Sequence, residues 1–385
     1  MAADVAQTTH PEVEQALSAM EAARERTLAL TGGVSEQDLE RVHSPIMSPL
    51  VWDLGHIAAY EDLWLAHRHG GRPLLRPDLA ALYDAFETPR AIRGEIEALG
   101  CEEALAYLEE VRARTPSVLS ERGLGDGVVC EMVLRHELQH CETMRQTMDI
   151  AGLLPAGEPA LFPLAGGKEW VALGAGEFAM GAAEDRFAYD NERPRHSVAV
   201  GAFQIARRPV SNGSWMHFCE GGGYERREWW SDEGWAWKEE YDITHHPSVA
   251  AGHPRAAACH VSWFEADAFA RAHDARLPTE AEWERAATWE QETRSGDVTD
   301  GEARDGALRA VGQVWEWTAS EFHGYPGFRA HPYREYSEVF FGEGYKVLRG
   351  SSWATDARVA SVTFRNWDLP LRRQIFAGLR LARDA

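Results

Sequence analysis

Two histidines four residues apart are the strongest chemical signal in this chain. His136 and His140 lie in the run HELQH, and on a helix this spacing places both imidazoles on one face, one turn apart. The neighbouring positions on that face are largely apolar, so we expect the face to point toward a core. Buried imidazoles lose hydration free energy unless a partner binds them. The spacing therefore favours a metal site over two core histidines held by hydrogen bonds.

The same five residues also fit the HExxH pattern of zinc hydrolases. In that chemistry both histidines bind zinc and the residue between them, here Glu137, acts as the general base. A third ligand is then expected downstream, but residues 141–152 contain no further histidine. A zinc hydrolase is kept as the less favoured alternative.

A better third ligand lies upstream, at His56. Ser48 and Pro49 are typical of a helix N-cap and first helical position, which would place His56 about two turns into a helix. If this helix packs beside the one that carries the pair, three imidazoles can converge on one ion. Three neutral nitrogen ligands leave coordination positions open, which suits iron(II) and also catalytic zinc. Spacing alone does not choose the metal.

Composition limits the classes of partner. The chain has 385 residues, 44% hydrophobic and 26% charged, which is ordinary for a globular protein with two domains. Its net charge of −22 argues against nucleic acid or an anionic membrane, because phosphate binding needs a basic surface. Five scattered cysteines without a CxxC pair argue against a disulfide framework. With no signal peptide and no long apolar run, we expect a cytoplasmic monomer that acts on small molecules.

The two halves of the chain differ in pattern. Helical periodicity predicts an all-α bundle over 11–152, followed by a linker at 153–168 and a second domain at 169–385. The second domain is rich in Gly, Trp and short apolar runs, which is typical of an α+β fold with short strands. The individual helices that we predict are 11–31, 48–68, 89–98, 102–121 and 127–151, then 262–273 and 279–288.

Two arginines form a second candidate site. Thr88 and Pro89 are typical of a helix start, and Arg90 and Arg93 would then share a face at the helix N-terminus. Guanidinium groups beside free backbone N–H groups can bind a carboxylate. A solvated pair that bridges local acids is the simpler interpretation from the residues alone.

Several motifs of the second half carry a family resemblance. They are RLPTEAEWE at 276–284, GQVWEWT at 312–318, LRGSSW at 348–353 and FAGLR at 376–380. These segments resemble the formylglycine-generating-enzyme fold, a C-type-lectin-like domain, and the N-terminal half resembles a DinB-like four-helix bundle. Formylglycine-generating enzymes use a cysteine pair late in that domain, whereas this chain has no cysteine after Cys259. The combination resembles the sulfoxide synthases of ergothioneine biosynthesis, also called hercynine oxygenases.

That resemblance implies a reaction, a cofactor and a set of site residues. The family joins a thiol, γ-glutamylcysteine or cysteine, to the imidazole carbon of hercynine with Fe(2+) and O2, and releases a sulfoxide. By resemblance the iron ligands are His56, His136 and His140, whereas Glu142 belongs to the signature but is not counted as a ligand. Arg90 and Arg93 would hold the γ-glutamyl carboxylate and Asp368 the α-ammonium group. The residues expected to contact hercynine are Gln139, Asn366 and Trp367. Tyr325 is the first choice for a proton donor and Tyr333 the second.

Two further alternatives follow from the same resemblance. A selenoneine synthase would share the histidines and join hercynine to a selenosugar, but it would need no clamp for a γ-glutamyl carboxylate. Arg90, Arg93 and Asp368 therefore favour the sulfur enzyme. A non-catalytic module that binds hercynine or carbohydrate is the third possibility, and it would bind no metal.

Overall fold

The chain forms two compact units. The computed structural model describes residues 11–155, 170–246, 253–295 and 310–385. Within it, Met1–Glu158 and Pro159–Ala385 separate as two units, and the expected linker at 153–168 lies mostly outside the described residues. No helix among the described residues is long and apolar enough to span a membrane.

Over residues 11–155 the first unit is a bundle of four long α-helices with one short α-helix. Its helices are α1 (Pro11–Thr31), α2 (Glu36–Glu40), α3 (Leu50–Glu61), α4 (Cys101–Arg122) and α5 (Val128–Ala151). α3 packs against α4 and α5, and α1 packs against α5. α5 ends at Gly152, whose φ of 69° is a left-handed conformation that favours glycine. The predicted all-α architecture of this half is confirmed.

The third helix changes its geometry part of the way along. α3 continues without a break as a π-helix over Asp62–His69, so the predicted helix at 48–68 is two different segments. π-Helical turns are rare and often occur near functional sites, since they shift the side chains that follow around the axis. The junction lies directly after Glu61, which is buried.

Three local predictions in this unit are wrong. Leu50 begins α3 after Pro49, so Pro49 is not the first helical residue, and Ser48 does not cap the helix. Ser48 instead accepts a hydrogen bond from Arg93 at 2.9 Å. The predicted helix at 89–98 is only a 3-10 turn at Arg90–Ile92, and Thr88 does not cap it. The chain folds back there because Arg93 is buried and donates to the carbonyl oxygen of Thr88 at 2.8 Å.

In the described residues of the second unit, three small sheets combine with four α-helices. The strands are β1 (Trp170–Leu173), β2 (Gly176–Met180), β3 (His196–Val200), β4 (Phe203–Ala206), β5 (Trp315–Glu321), β6 (Lys346–Arg349), β7 (Asn366–Asp368), β8 (Ala377–Leu379) and β9 (Ala382–Asp384). Their orders are β1-β4-β9, β2-β3 and β7-β6-β5-β8, and β5 pairs with β8 in parallel. The helices are α6 (Asn212–Glu220), α7 (Asp232–Glu240), α8 (Trp263–Ala272) and α9 (Glu280–Ser295). The expected α+β class is confirmed.

Buried ion pairs tie this unit together. Arg380 makes a bidentate pair with Glu316, with both contacts at 2.7 Å, and the indole N–H of Trp283 donates to the same carboxylate. Arg365 makes a second bidentate pair with Glu280. The motif residues that carry the family resemblance therefore build the core of the domain, as expected of fold determinants.

Candidate metal centre

Three histidines from two helices meet inside the first unit. His136 and His140 leave α5 one turn apart, and His56 reaches them from α3. The Nε2 atoms of His56 and His136 are 3.0 Å apart, and one ligand atom from each of the three rings lies within 4.8 Å of the others. The packing of α3 on α5 thus brings together the three residues that the sequence singled out.

Hydrogen bonds fix the orientation of two of these rings. Nδ1 of His56 lies 2.7 Å from the carbonyl oxygen of Tyr83, and Nδ1 of His140 lies 2.9 Å from Oδ1 of Asp53. Carbonyl and carboxylate oxygens only accept, so in the neutral rings both Nδ1 atoms carry the proton. The Nε2 lone pairs are left to face the centre of the cluster, which is the arrangement that metal-binding histidines use.

Burial and the neighbouring histidines favour the neutral form of His56 and His136. Burial, followed by the neighbouring His140, holds the pKa of His56 well below its usual value. Burial and the other two histidines do the same to the pKa of His136. Only a neutral imidazole can donate a lone pair to a metal, so this environment prepares the rings as ligands before any ion arrives.

Aromatic side chains stack on two of the three imidazole rings. The indole of Trp52 stacks on His56 with ring centroids 4.8 Å apart, and the phenol of Tyr60 stacks on His136 at 3.7 Å. The guanidinium of Arg93 lies over the Trp52 ring, 3.6 Å from the ring centroid, in a cation–π contact. These contacts restrict ring rotation, which lowers the entropy lost when an ion binds.

The donor set fits a metal ion with open coordination positions. Two nitrogen ligands at right angles, each about 2.1 Å from one ion, lie about 3.0 Å apart, which matches the separation of His56 and His136. Among the described residues this group contains three histidines and no carboxylate or thiolate. Such a set suits iron(II) or zinc and leaves space for substrates on the ion. The assignment of these three ligands stays a prediction.

Glu137 does not lie with the histidines. Its buried carboxylate accepts from Arg24 at 2.8 Å, from Arg112 at 2.9 Å and from the hydroxyl of Thr27 at 2.9 Å. Glu61 pairs with the same two arginines, so the four charges form one buried cluster. A carboxylate held by two guanidinium groups is a poor general base. This geometry disfavours the hydrolase interpretation of the HExxH pattern.

Gly55 lets the partner of His56 approach α3. A Cβ atom at this position would lie 2.2 Å from Cζ of the Tyr83 ring, far inside van der Waals contact. The hydroxyl of Tyr83 accepts from the backbone N–H of Leu99 at 3.1 Å, so the ring is fixed at both ends. Sequence analysis missed Asp53, Gly55 and Tyr83, because their roles arise from packing between segments distant in sequence. The only local signal was an acid one helical turn before His56.

The two arginines differ in their surroundings. Arg93 is buried, and its guanidinium contacts Thr88, Ser48 and the ring of Trp52. Arg90 is exposed on the neighbouring 3-10 turn. They therefore do not present a matched pair on one helical face, and the expectation of a shared helix N-terminus is wrong.

The predicted contact residues of the second unit lie on one short strand and a nearby loop. Asn366, Trp367 and Asp368 form β7 and are half-buried. Trp367 stacks on Phe322 with ring centroids 4.3 Å apart, and Asp368 lies 3.4 Å from Nε of Arg372. The arginine supplies an ion-pair partner for Asp368 that the sequence did not predict.

The two tyrosine candidates differ in burial. Tyr325 is buried, and the guanidinium of Arg365 lies 4.1 Å from its ring centroid. Its hydroxyl has no hydrogen-bond partner in the described part of the chain, and burial raises its pKa above the usual value. Tyr333 is half-buried. A buried hydroxyl that stays protonated can serve as a proton donor, and the choice of Tyr325 before Tyr333 stays a prediction.

Comparison with known proteins agrees with the architecture. Residues 19–144 match the DinB superfamily, and residues 157–302 and 301–385 match the sulfatase-modifying factor enzyme 1-like domain. The hercynine oxygenase of Mycobacterium tuberculosis is 39% identical, over 96% of this chain and 99% of that protein. That of Mycolicibacterium thermoresistibile is 40% identical, over 94% and 93%. Ergothioneine biosynthesis protein 1 of Schizosaccharomyces pombe is 25% identical over 51% of this chain and 28% of its own length. Two relatives at this level over nearly their full length establish that the chain belongs to the hercynine oxygenase family.

Proposed function

We propose that this chain is a non-haem iron(II)- and oxygen-dependent sulfoxide synthase of ergothioneine biosynthesis. It would join the sulfur of γ-glutamylcysteine, or of cysteine, to the imidazole carbon of hercynine. The balanced reaction is one thiol, one hercynine and one O2 giving one sulfoxide and one water. One oxygen atom ends on sulfur, and the other leaves as water with the thiol hydrogen and the imidazole hydrogen.

The convergence of three imidazoles carries this proposal. His56, His136 and His140 would hold the ion through Nε2, with Asp53 and the Tyr83 carbonyl oxygen keeping two of the rings aligned. Ferrous iron bound there would supply oxygen activation and a site for the thiolate. The family membership adds hercynine as the acceptor, because relatives that match nearly the whole chain are named for it.

We assign substrate recognition to a small set of polar and aromatic side chains. Arg90 is exposed and is our first choice to contact the γ-glutamyl carboxylate, with the buried Arg93 as a second positive charge. Asp368 would bind the α-ammonium group of the thiol, exchanging part of its pairing with Arg372.

Hercynine recognition is the second part of this assignment. Trp367 would place an indole face against the quaternary ammonium of hercynine, since cations bind aromatic faces. Gln139 and Asn366 supply amide groups that can hydrogen bond to the imidazole or carboxylate of hercynine. Tyr325 would donate a proton during the formation of water, with Tyr333 as the second choice.

An assay with parallel sulfur and selenium donors tests the proposal. The protein is loaded with iron(II) without oxygen, then mixed with hercynine, O2 and γ-glutamylcysteine, cysteine or a selenosugar, and the products are identified by mass spectrometry. We expect a hercynyl sulfoxide from one of the thiols. A selenium adduct alone would replace the proposal with a selenoneine synthase. A protein that purifies with zinc and yields no product would contradict it.

A ligand variant provides the matched control for that assay. His140→Ala should lose both iron binding and turnover, whereas His43→Ala, in the same unit at a ring that bonds to the backbone carbonyl of Asp38, should keep both. Retained turnover in His140→Ala would show that this histidine is not a ligand.

A further inference from the structure

The second unit contains a basic pocket that the proposed reaction does not use. It has a volume of about 540 Å³, within the range of small-molecule sites. Four arginines line it, all contributed by this unit: Arg207, Arg208, Arg255 and Arg383. No Asp or Glu is among the described residues that line it. Four like charges around one cavity are unusual in a chain with a net charge of −22.

The arginines come from different parts of the fold. Arg207 and Arg208 follow β4, Arg383 lies on the adjacent strand β9, and Arg255 lies on the loop before α8. Three segments that are distant in sequence therefore contribute arginines to the lining of one pocket. A solvated charge run along one element would not produce this convergence.

Two acids that are close in sequence to pocket residues pair with arginines outside the pocket. Asp384, the residue after Arg383, pairs with Arg276 at 2.9 Å. Glu265, one turn before Phe269 on α8, is buried and pairs with Arg373 at 3.0 Å. Arg383 itself bonds to the neutral amide oxygen of Gln204 at 2.8 Å. Asp384 and Glu265 therefore form their described ion pairs with arginines that do not line the pocket.

The rest of the lining is apolar or hydroxylic. Trp170 and the buried ring of Phe269 supply aromatic surface, and Arg383 lies 4.2 Å from the centroid of the Trp170 ring. Ser211, which caps α6, and Ser214 add hydroxyl groups at the helix N-terminus. The positive end of the helix dipole adds to the potential that the guanidinium groups create. Such a lining suits an organic anion rather than a bare inorganic ion.

We propose that this pocket binds a small organic molecule with two or more negative charges, as phosphate or carboxylate, and an apolar ring. Guanidinium groups match both anions through paired N–H donors. The aromatic lining would cover the ring of the ligand. This site is independent of the three-histidine centre and of the proposed reaction.

Calorimetric titration of the full chain with its metal tests this site. Phenyl phosphate and phthalate are the probes, because both carry two charges on one ring, and phenol is the neutral control. We expect one equivalent of at least one dianion to bind and phenol not to bind. The preferred dianion distinguishes a phosphate from a dicarboxylate ligand. Affinity should fall between low ionic strength and about 0.15 M salt, because salt screens these charges.

Variants at exposed arginines locate the binding. Arg255→Gln with Arg383→Gln should weaken the preferred dianion about tenfold or more, since two charge-assisted contacts are lost. Arg226→Gln with Arg271→Gln removes the same charge from exposed arginines outside the pocket and should leave affinity within about twofold. Absence of dianion binding, equal binding of phenol, or equal losses in both double variants would overturn the proposal.

Discussion

Asp53 is the side chain that best explains why His140 points inward. The carboxylate is fully buried, and only Oδ1 has a partner among the described residues, namely Nδ1 of His140 at 2.9 Å. A buried carboxylate with an unsatisfied oxygen costs free energy, so packing alone does not account for it. Holding the proton on Nδ1 and raising the basicity of Nε2 are what such a carboxylate does for a metal ligand.

Asp53→Ala should therefore weaken iron binding by about 10- to 100-fold, the usual loss when a carboxylate partner of a ligating histidine is removed. The measurement is an anaerobic iron(II) titration, with circular dichroism to show that the bundle is folded. Asp78→Ala is the control, because Asp78 is an exposed acid of the same unit that pairs with Arg76. Unchanged iron affinity in Asp53→Ala would refute the positioning role.

At Tyr325, a substitution can test proton donation with little effect on the stability of the fold. Tyr325→Phe keeps the ring that contacts Arg365 and removes a hydroxyl without a hydrogen-bond partner in the described ranges, so stability should change by less than about 1 kcal/mol. We expect the ratio of sulfoxide to oxidised thiol to fall, as judged by mass spectrometry. An unchanged ratio, with a lowered ratio in Tyr333→Phe, would move the role of proton donor to Tyr333.

The helices α3 and α5 position the metal centre, and only part of this could be predicted. The spacing of His136 and His140 predicted the shared face, and His56 was identified from its distance after Ser48 and Pro49 although the helix begins at Leu50.

The helix at 89–98 was mispredicted because burial of Arg93 overrides local propensity. α6 and α7 were not predicted, since nine-residue helices gain most of their stability from tertiary burial of residues such as Trp215.

The close approach of Tyr83 to α3 gives an element-scale prediction. Gly55→Ala should destabilise the first unit by about 1–3 kcal/mol and weaken iron binding, because the new Cβ must displace the residue whose carbonyl aligns His56. Denaturant unfolding and iron titration measure the two effects. Gly33→Ala is the control, since a Cβ there meets nothing within 4 Å. Full iron affinity in Gly55→Ala would show that the Tyr83 contact is dispensable.

The buried ion cluster joins α1, α3, α4 and α5 on the side of α5 that carries Glu137. Glu137→Gln should destabilise the unit by about 3–5 kcal/mol, because Arg24 and Arg112 would be left without a full counter-charge. Iron affinity of the folded variant should be retained, since Glu137 lies apart from the histidines. Glu131→Gln, on the same helix with a partly exposed partner, should cost less than about 1 kcal/mol. Loss of metal from folded Glu137→Gln would revive the HExxH interpretation.

At the scale of the whole molecule, each unit has a buried carboxylate that stays ionised. Burial alone would raise the pKa of Glu61, but Arg112 and Arg24 lower it below its usual value. Burial opposes ionisation of Glu265 in the second unit in the same way, and Arg373 and His246 outweigh it and lower the pKa of that carboxyl. The sequence could not predict these pairs, because their members lie on segments distant in the chain.

Acid should therefore destabilise both units. The pKa of each of these carboxyl groups is lower in the folded state than in the unfolded state, where it is about 4.5. Such a group stabilises the fold at a pH above its unfolded-state pKa. This contribution is lost as the pH falls through its folded-state pKa. We expect the free energy of unfolding to change little through these two groups above pH 5 and to fall steeply below about 4.5. Calorimetry from pH 7 to pH 3 measures this dependence.

Glu61→Gln should be less stable at pH 7, and the unfolding free energy of the first unit should then depend less steeply on pH in acid. Glu12→Gln, at an exposed acid of α1, should leave this dependence unchanged. An unaltered slope in Glu61→Gln would mean that the buried ion cluster does not set the acid limit of the bundle.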